Sequence, residues 1–311
     1  MIEIIQNGPA TSLQDSGRAG QRHLGIPESG AADRLSFALA NHIVGNPWQA
    51  PALECTLGGL QIKFTRNATF ALSGADMKAK LGDRTAQPNT AHQAKTGDVL
   101  TLGFADTGCR AYLAIAGGLS GSSFAGSVAT YTQAAIGGIE GRHVKAGDRL
   151  ESAGLDTSGP QSLPPGYAPK LSRHVILRAR PGPEFEYLTP ASKRELFTCG
   201  FTASAQTDRM GSRLDGQSIS LDSPYSMTSS PLLPGTVQIP AGGQPILAMI
   251  DGHCTGGYAR ALQVIRADLW QMGQITPGSK VSFRRCFESE LAAITQARHS
   301  FYGNLMDGFT F

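Results

Sequence analysis

Cysteine is scarce in this chain, and its few copies stand far apart. Cys55, Cys109, Cys199, Cys254 and Cys286 form no C-x-x-C pair and no Cys/His cluster. That pattern indicates neither a disulfide framework nor a zinc site. Basic runs are missing as well. The net charge of +3 comes from 27 basic and 24 acidic residues, and no stretch holds four consecutive Lys/Arg. Nucleic acid and anionic membrane are therefore excluded as expected partners. No apolar run approaches the ~20 residues of a membrane span. The opening Met1-Ile2-Glu3-Ile4-Ile5-Gln6 lacks the basic region, apolar core and cleavage site of a secretory signal. A cytoplasmic location is expected.

Several catalytic signatures are also absent. There is no G-x-G-x-x-G after a strand, no G-x-S-x-G and no H-E-x-x-H. The segment Gly121–Ser127 has the glycine spacing of a phosphate loop, but it lacks the Lys-Ser/Thr pair that holds phosphate and Mg2+. It reads as an ordinary loop. The seven histidines are scattered, and His253 reads as a solvent-facing turn residue.

Glycine and proline are plentiful, at 38 and 18 copies. They predict many turns and many short strands. A length of 311 residues suggests two domains or one large β-rich domain. The stretch 152–171 is rich in Pro, Gly and Ser and lacks periodicity, so it reads as a linker between an N-terminal β-rich domain, 1–151, and a C-terminal domain, 172–311. One cassette recurs: Lys95-Thr96-Gly97-Asp98, Lys145-Ala146-Gly147-Asp148 and Thr276-Pro277-Gly278-Ser279 each precede a strand-like run. Repeated sharp turns of this kind suit a closed or nearly closed barrel. Helices are few. Asp33 is placed to cap one carrying Leu35, Leu39 and Ile43, Thr189-Pro190 to open a second, and a third starts near Ser289.

The polar residues with chemical potential fall in three segments. In Gln238–Tyr258 an apolar run, Ile246 to Ile250, has Gln238 and Gln244 before it and Asp251, Thr255 and Tyr258 after it. Glycines such as Gly256 and Gly257 let backbone approach a ligand closely, and the same residues also suit a plain hairpin. Near the N-terminus, Asp15 and Arg18 read either as a site or as a local ion pair, and Asn41 and Asn46 as caps. In Thr207–Gly211, Arg209 is the leading anion-binding candidate because its planar fork matches a carboxylate or phosphate; a structural salt bridge is the other reading.

Together these motifs resemble one family over nearly the whole chain. They are Q-D-S-G-R-x-G at Gln14–Gly20, S-G-A-x-D at Ser29–Asp33, A-N-x-x-V-G-N at Ala40–Asn46, G-G-x-x-G-R at Gly137–Arg142, P-G-P-E at Pro181–Glu184 and D-R-M-G-x-R-L at Asp208–Leu214. The sequence is similar to the family of the bacterial 5-oxoprolinase C subunit, also met as a kinase-inhibitor antagonist and as allophanate hydrolase subunit 2. That family is related to the carboxyltransferase part of urea carboxylase.

The resemblance implies a mainly β fold with a few helices, built of two β-rich halves with a cyclophilin-like β-barrel. It further implies an ATP-dependent enzyme that opens 5-oxoproline (pyroglutamate) to L-glutamate with a homologous B subunit and an A subunit of another fold. ATP would be shared with a partner subunit, and a role for Mg2+ stays open. Arg209, Asp251 and Thr255 are then the catalytic candidates. Gln238, Gln244, Gly256, Gly257, Tyr258, Arg18 and Asp15 would bind the small amide or lactam, and no resident metal site is expected. Two other readings stay open: a biotin-dependent carboxyltransferase acting on urea or a related amide, and a non-catalytic regulatory partner. The chain has no biotin-acceptor A-M-K-M, so biotin would not be attached to it. Relatives often carry threonine where this chain has Cys254, a weaker donor of similar size.

Overall fold

The recurrent turn cassettes act as strand starters. In a computed structural model of the chain, the last residue of each cassette closes the turn by accepting from the first. Lys95 N donates to Asp98 Oδ2 at 2.9 Å, Lys145 N to Asp148 Oδ2 at 2.7 Å and Thr276 N to Ser279 Oγ at 3.1 Å. The glycine between them takes a positive φ of 94°, 89° and 84° respectively, open to glycine at no steric cost. Strands follow at once: Val99–Thr101, Arg149–Leu150 and Lys280–Arg285.

The structure describes residues 1–153, 159, 161–223 and 227–311. The expected linker 152–171 therefore lies partly outside the described residues. The chain forms two compact units. One comprises Met1–Arg18, Ser29–Leu171 and Tyr302–Thr310; the other comprises Ala19–Glu28, Ser172–Phe301 and Phe311.

The first unit has two sheets. One runs in the order Arg149–Leu150, Ile2–Asn7, Leu60–Phe64, Val99–Thr101, Lys80–Leu81, Arg84–Thr85. The other runs Ala10–Gln14, Ala52–Thr56, Arg110–Ile115, Ala68–Gly74, Ala91–Ala94. Ile2, Ile4, Ile62 and Phe64 of the first sheet share a core with Leu53, Phe70, Leu72 and Leu113 of the second. The strand Arg110–Ile115 is buried on both faces, so its alternation is split between two cores. Ala111, Leu113 and Ile115 face the first sheet, whereas Tyr112 and Ala114 face Phe37, Ala40 and Ile43 of the helix Arg34–Ile43. Asp33 caps that helix by accepting from Ser36 N at 2.9 Å, as its sequence position predicts. Asn41 and Asn46 stitch the helix down: Asn41 Nδ2 donates to Ala50 O at 2.8 Å, and Asn46 Nδ2 to Ile115 O at 2.9 Å.

The second unit contains a closed seven-stranded barrel. Its spatial order is His174–Pro181, Ala259–Val264, Thr236–Ile239, Ile246–Ala248, Gly211–Asp215, Gly200–Thr207, Lys280–Arg285. The ring closes through a parallel pairing of the first and last of these strands. Leu177, Phe201, Leu214, Val237, Leu247, Val281 and Phe283 fill the interior. The helix Pro190–Thr198 is capped by Thr189, whose Oγ1 accepts from Ser192 N at 3.1 Å. The last helix, Glu288–Gly303, lays Leu291 and Ile294 against Ile265, Ala267 and Cys286. Among the described residues no helix is long and apolar enough to cross a membrane.

Two barrel features depart from the apolar runs of the sequence. The run Ile246 to Ile250 is ladder-paired as a strand only over Ile246–Ala248, because Gly252 N turns back to Met249 O at 3.1 Å. Gly200–Thr207 and Gly211–Asp215 are barrel strands that apolar runs do not reveal. Polar residues alternate along both, leaving two buried hydrophobes in the first, Phe201 and Ala203, and one in the second, Leu214.

A buried charge pair anchors the first unit. Glu54, 1% exposed, accepts from Arg110 Nε at 3.1 Å, from Tyr112 OH at 2.8 Å and from Ala32 N at 2.9 Å. Burial and the Glu54 carboxylate push the Tyr112 phenol well above its usual range, so it stays a donor. The Glu54→Ala change leaves Arg110 buried without this carboxylate and should cost about 3–5 kcal/mol. Urea denaturation measures it; a loss near zero would mean Glu54 does not hold the unit together.

Candidate functional site

Apolar side chains occupy the barrel interior, so the polar candidates of this unit are sought on the barrel's outer face and at its ends. Register identifies the outer face. Inward along one row point Ser212, Leu247, Val237 and Leu262; outward along the next point Arg213, Ile246, Gln238 and Arg260. The outward row depends on a β-bulge. Val237 pairs with Leu262 but Gln238 pairs with Arg260, leaving Ala261 as the extra residue that brings Arg260 level with Gln238.

Gln238 is 6% exposed although it faces outward. It is covered by a two-stranded ladder in which Ser230 pairs with Gly256 and Pro231 with Thr255. A Cβ added at Gly256 would stand 2.5 Å from Gln238 Nε2, so glycine is what lets the cover lie this close. Gln238 Nε2 and Gln244 Oε1 are buried and have no hydrogen-bond partner among the described residues. A buried amide donor left this way costs about 1–3 kcal/mol, and such groups ask for an explanation.

The cover is pinned by arginines. Arg260 donates through Nε and Nη2 to Glu184 at 2.8 and 2.7 Å, and through Nη1 to Pro231 O at 2.9 Å. Gly182 permits that approach, because a Cβ there would stand 2.1 Å from Arg260 O. Arg22 donates to Leu232 O, and Leu232 N to Cys254 O at 2.9 Å. Cys254 is thus buried beside the covering ladder. The Arg260 hydrogen bonds hold the Glu184 carboxyl below the usual carboxylate range.

The remaining expected residues separate into two further places. Arg209 and Asp251 form a bidentate pair, with Nε to Oδ2 at 2.7 Å and Nη2 to Oδ1 at 3.0 Å. Asp251 N also donates to Arg209 O at 2.8 Å, so the pair closes the turn that leads into the covering segment. Both carboxylate oxygens of Asp251 face a guanidinium, which does not suit a metal ligand; among the described residues no group of three His, Cys, Asp or Glu is placed to hold a metal. Gln238 pairs with Ile246, five residues before Asp251, so Gln238 and the Arg209–Asp251 pair occupy different rows. Thr255, Gly257 and Tyr258 are exposed on the covering segment. Asp15 and Arg18 belong to the other unit. Asp15 accepts from Ser127 Oγ at 2.6 Å, Val128 N at 2.7 Å and Gly17 N at 2.8 Å, and Arg18, 1% exposed, donates to Ala129 O. Both tie the 127–129 loop to the N-terminal turn. Ser127, the last residue of the segment with phosphate-loop spacing, is likewise committed to Asp15.

Glu184, Arg260 and Arg22 matter to this corner and were not among the expected site residues. The P-G-P-E motif pointed to Glu184, but its partner lies 76 positions away and nothing in the sequence links the two.

A closed barrel with a filled core, in a chain that also carries a two-sheet unit, defines the class. Residues 24–285 match the family model "Carboxyltransferase domain, subdomain A and B", and the chain belongs to that family. Within it, the chain is 38% identical over 305 residues to the C subunit of 5-oxoprolinase from Escherichia coli (strain K12), covering 98% of this chain and 97% of that one. It is 35% identical to the C subunit of 5-oxoprolinase from Haemophilus influenzae, covering 94% of each. The crystal structure of the K. lactis urea amidolyase matches 100% of this chain with a TM-score of 0.92 and 29% identity, over 20% of its own length.

Two measurements test this geometry. Gly256→Ala and Gln238→Ala should be non-additive in urea denaturation, coupled by about 0.5–3 kcal/mol, because removing the amide removes the clash; additivity would separate the two residues. Glu184 has a depressed folded-state pKa, so its contribution is present at neutral pH and fades as pH falls through that value. Glu184→Gln should lower Tm at pH 7 and flatten its decline between neutral and acid pH. A parallel downward shift at every pH would remove the Glu184 carboxylate from the acid sensitivity.

Proposed function

We propose that the chain is the C subunit of an ATP-dependent 5-oxoprolinase that opens 5-oxoproline to L-glutamate together with a homologous B subunit and an A subunit. The observation that carries this reading is the end-to-end relation to the E. coli C subunit, 98% of one chain against 97% of the other. The match to urea amidolyase of Lachancea kluyveri spans 94% of this chain but only 18% of that protein.

The chemistry needed suits the outer-face corner. A lactam carbonyl is a poor electrophile, and transfer of phosphate from ATP to its oxygen is what makes ring opening feasible. Gln238 Nε2 is a donor awaiting an acceptor; in this reading the lactam oxygen supplies it once the Thr255–Gly257 segment yields. Such a donor also stabilises charge that develops on the oxygen. Thr255 adds a hydroxyl on the same segment. Arg209 and Asp251 act on the geometry of the covering turn. ATP is shared with the B subunit, the hydrolytic step belongs to the A subunit, and the assembly works in the cytoplasm. No step is routed through a metal at Asp251, whose oxygens are turned to Arg209.

Purified alone, the chain should show no 5-oxoproline-dependent ATP hydrolysis, and mixing with cognate A and B subunits should restore it. Turnover by the lone chain would overturn the shared site. A silent mixture of folded subunits would overturn the assignment.

A further inference from the structure

The substrate of the proposed reaction carries a carboxylate as well as a lactam carbonyl. A site that gripped the carbonyl alone would accept uncharged lactams equally well. Discrimination needs a cation within reach of Gln238, and two nearby arginines are already engaged. Arg22 donates to the Leu232 carbonyl, and Arg260 holds Glu184 and the Pro231 carbonyl.

The third arginine is Arg213, part of the D-R-M-G-x-R-L motif and so far without a role. It lies on Gly211–Asp215 between two fully buried neighbours, Ser212 and Leu214, which fixes its own side chain outward and exposed. It pairs in register with Ile246, and Ile246 pairs with Gln238. Among the described residues no carboxylate forms an ion pair with it. Two strand spacings, about 10 Å, separate Arg213 from Gln238 at the backbone. The two side chains can converge over Ile246, whose half-buried apolar surface lies between them.

We infer that Arg213 is the carboxylate-binding, specificity-determining residue of this site, with Ile246 beneath the ring and Gln238 on the ring carbonyl. In 5-oxoproline the carbonyl and the carboxylate flank the ring nitrogen, so one end meets each polar side chain and the ring methylenes lie on the apolar floor. The guanidinium offers the bidentate geometry a carboxylate prefers, and lysine in its place offers a point charge only. The inference rests on the 5-oxoprolinase reading.

The test uses the chain assembled with its cognate A and B subunits. Activity is followed as ATP hydrolysis driven by 5-oxoproline and, separately, by 2-pyrrolidinone, the same ring without the carboxylate. In Arg213→Gln, KM for 5-oxoproline should rise roughly 10- to 100-fold while kcat changes little. The weak response to 2-pyrrolidinone should not move, so the preference for the acid collapses. Arg213→Lys should recover part of the affinity. A working wild-type assembly with an unmoved KM in Arg213→Gln overturns the assignment alone, as does an equal loss for both lactams. A wild-type assembly without 5-oxoproline turnover overturns the parent reading and this assignment with it.

Discussion

Phe201, Leu214, Val237, Leu247, Val281 and Phe283 meet inside a ring of seven strands and fill its middle with apolar side chains. A barrel of this strand number is just wide enough for its own side chains. Polar groups on its strands must therefore be outside or at its ends, where each has to be covered, paired or solvated. Gln238 is covered, Arg260 is paired, and Arg213 is solvated; these are neighbours on one outward row with three different fates. The covering ladder, the bulge at Ala261 and the left-out hydrogen bond of Gln238 all follow from a core that is full.

Arginine–carboxylate clamps hold the loops that do the covering. Arg260–Glu184 fixes the Pro231 side of the ladder, and Arg209–Asp251 fixes the turn from which the Thr255 side departs. Arg178 with Asp268 ties the 266–274 segment to the barrel in the same bidentate manner, through Nε at 2.8 Å. These pairs are largely shielded from water and geometrically matched, so they act as positioning devices more than as large reserves of stability. A loop pinned at both ends by charge, with glycine at its middle, can be placed accurately and still yield. Gly256 and Gly257 lie at that middle.

Much of the scaffold was legible because its signals are local. The Lys-x-Gly-Asp cassette names its own turn, and Asp33 and Thr189 name the starts of their helices within three residues. The candidate site was legible only in outline. Gln238 and Gly256 were both singled out, but the reason they matter is a contact between the barrel's outer face and its covering ladder that no spacing rule contains. Arg209 and Asp251 looked like an anion binder and a catalytic carboxylate because each is chemically apt; 42 residues apart in sequence, they pair with one another. Arg18 and Asp15 were read from a dense polar turn, and their partners, at 127–129, lie more than a hundred residues downstream. Long-range pairing decides whether a charge is available, and one sequence does not show it.

The same scaffold is found within proteins named for urea and in subunits named for 5-oxoproline, so fold alone does not choose between amides. Both named compounds offer a carbonyl oxygen, and in the proposed reading the buried Gln238 donor on the barrel's outer face answers what they share. They differ in charge, since urea is neutral and 5-oxoproline is an acid. A difference of charge is best read by a residue whose own charge is not already neutralised, on a rigid strand, one apolar residue away from the shared donor. Of the three arginines around Gln238, two are locked into the architecture that places it. In the assignment proposed above, the row Arg213–Ile246–Gln238 separates the general task of gripping an amide from the particular task of recognising an acid, on different strands of one sheet.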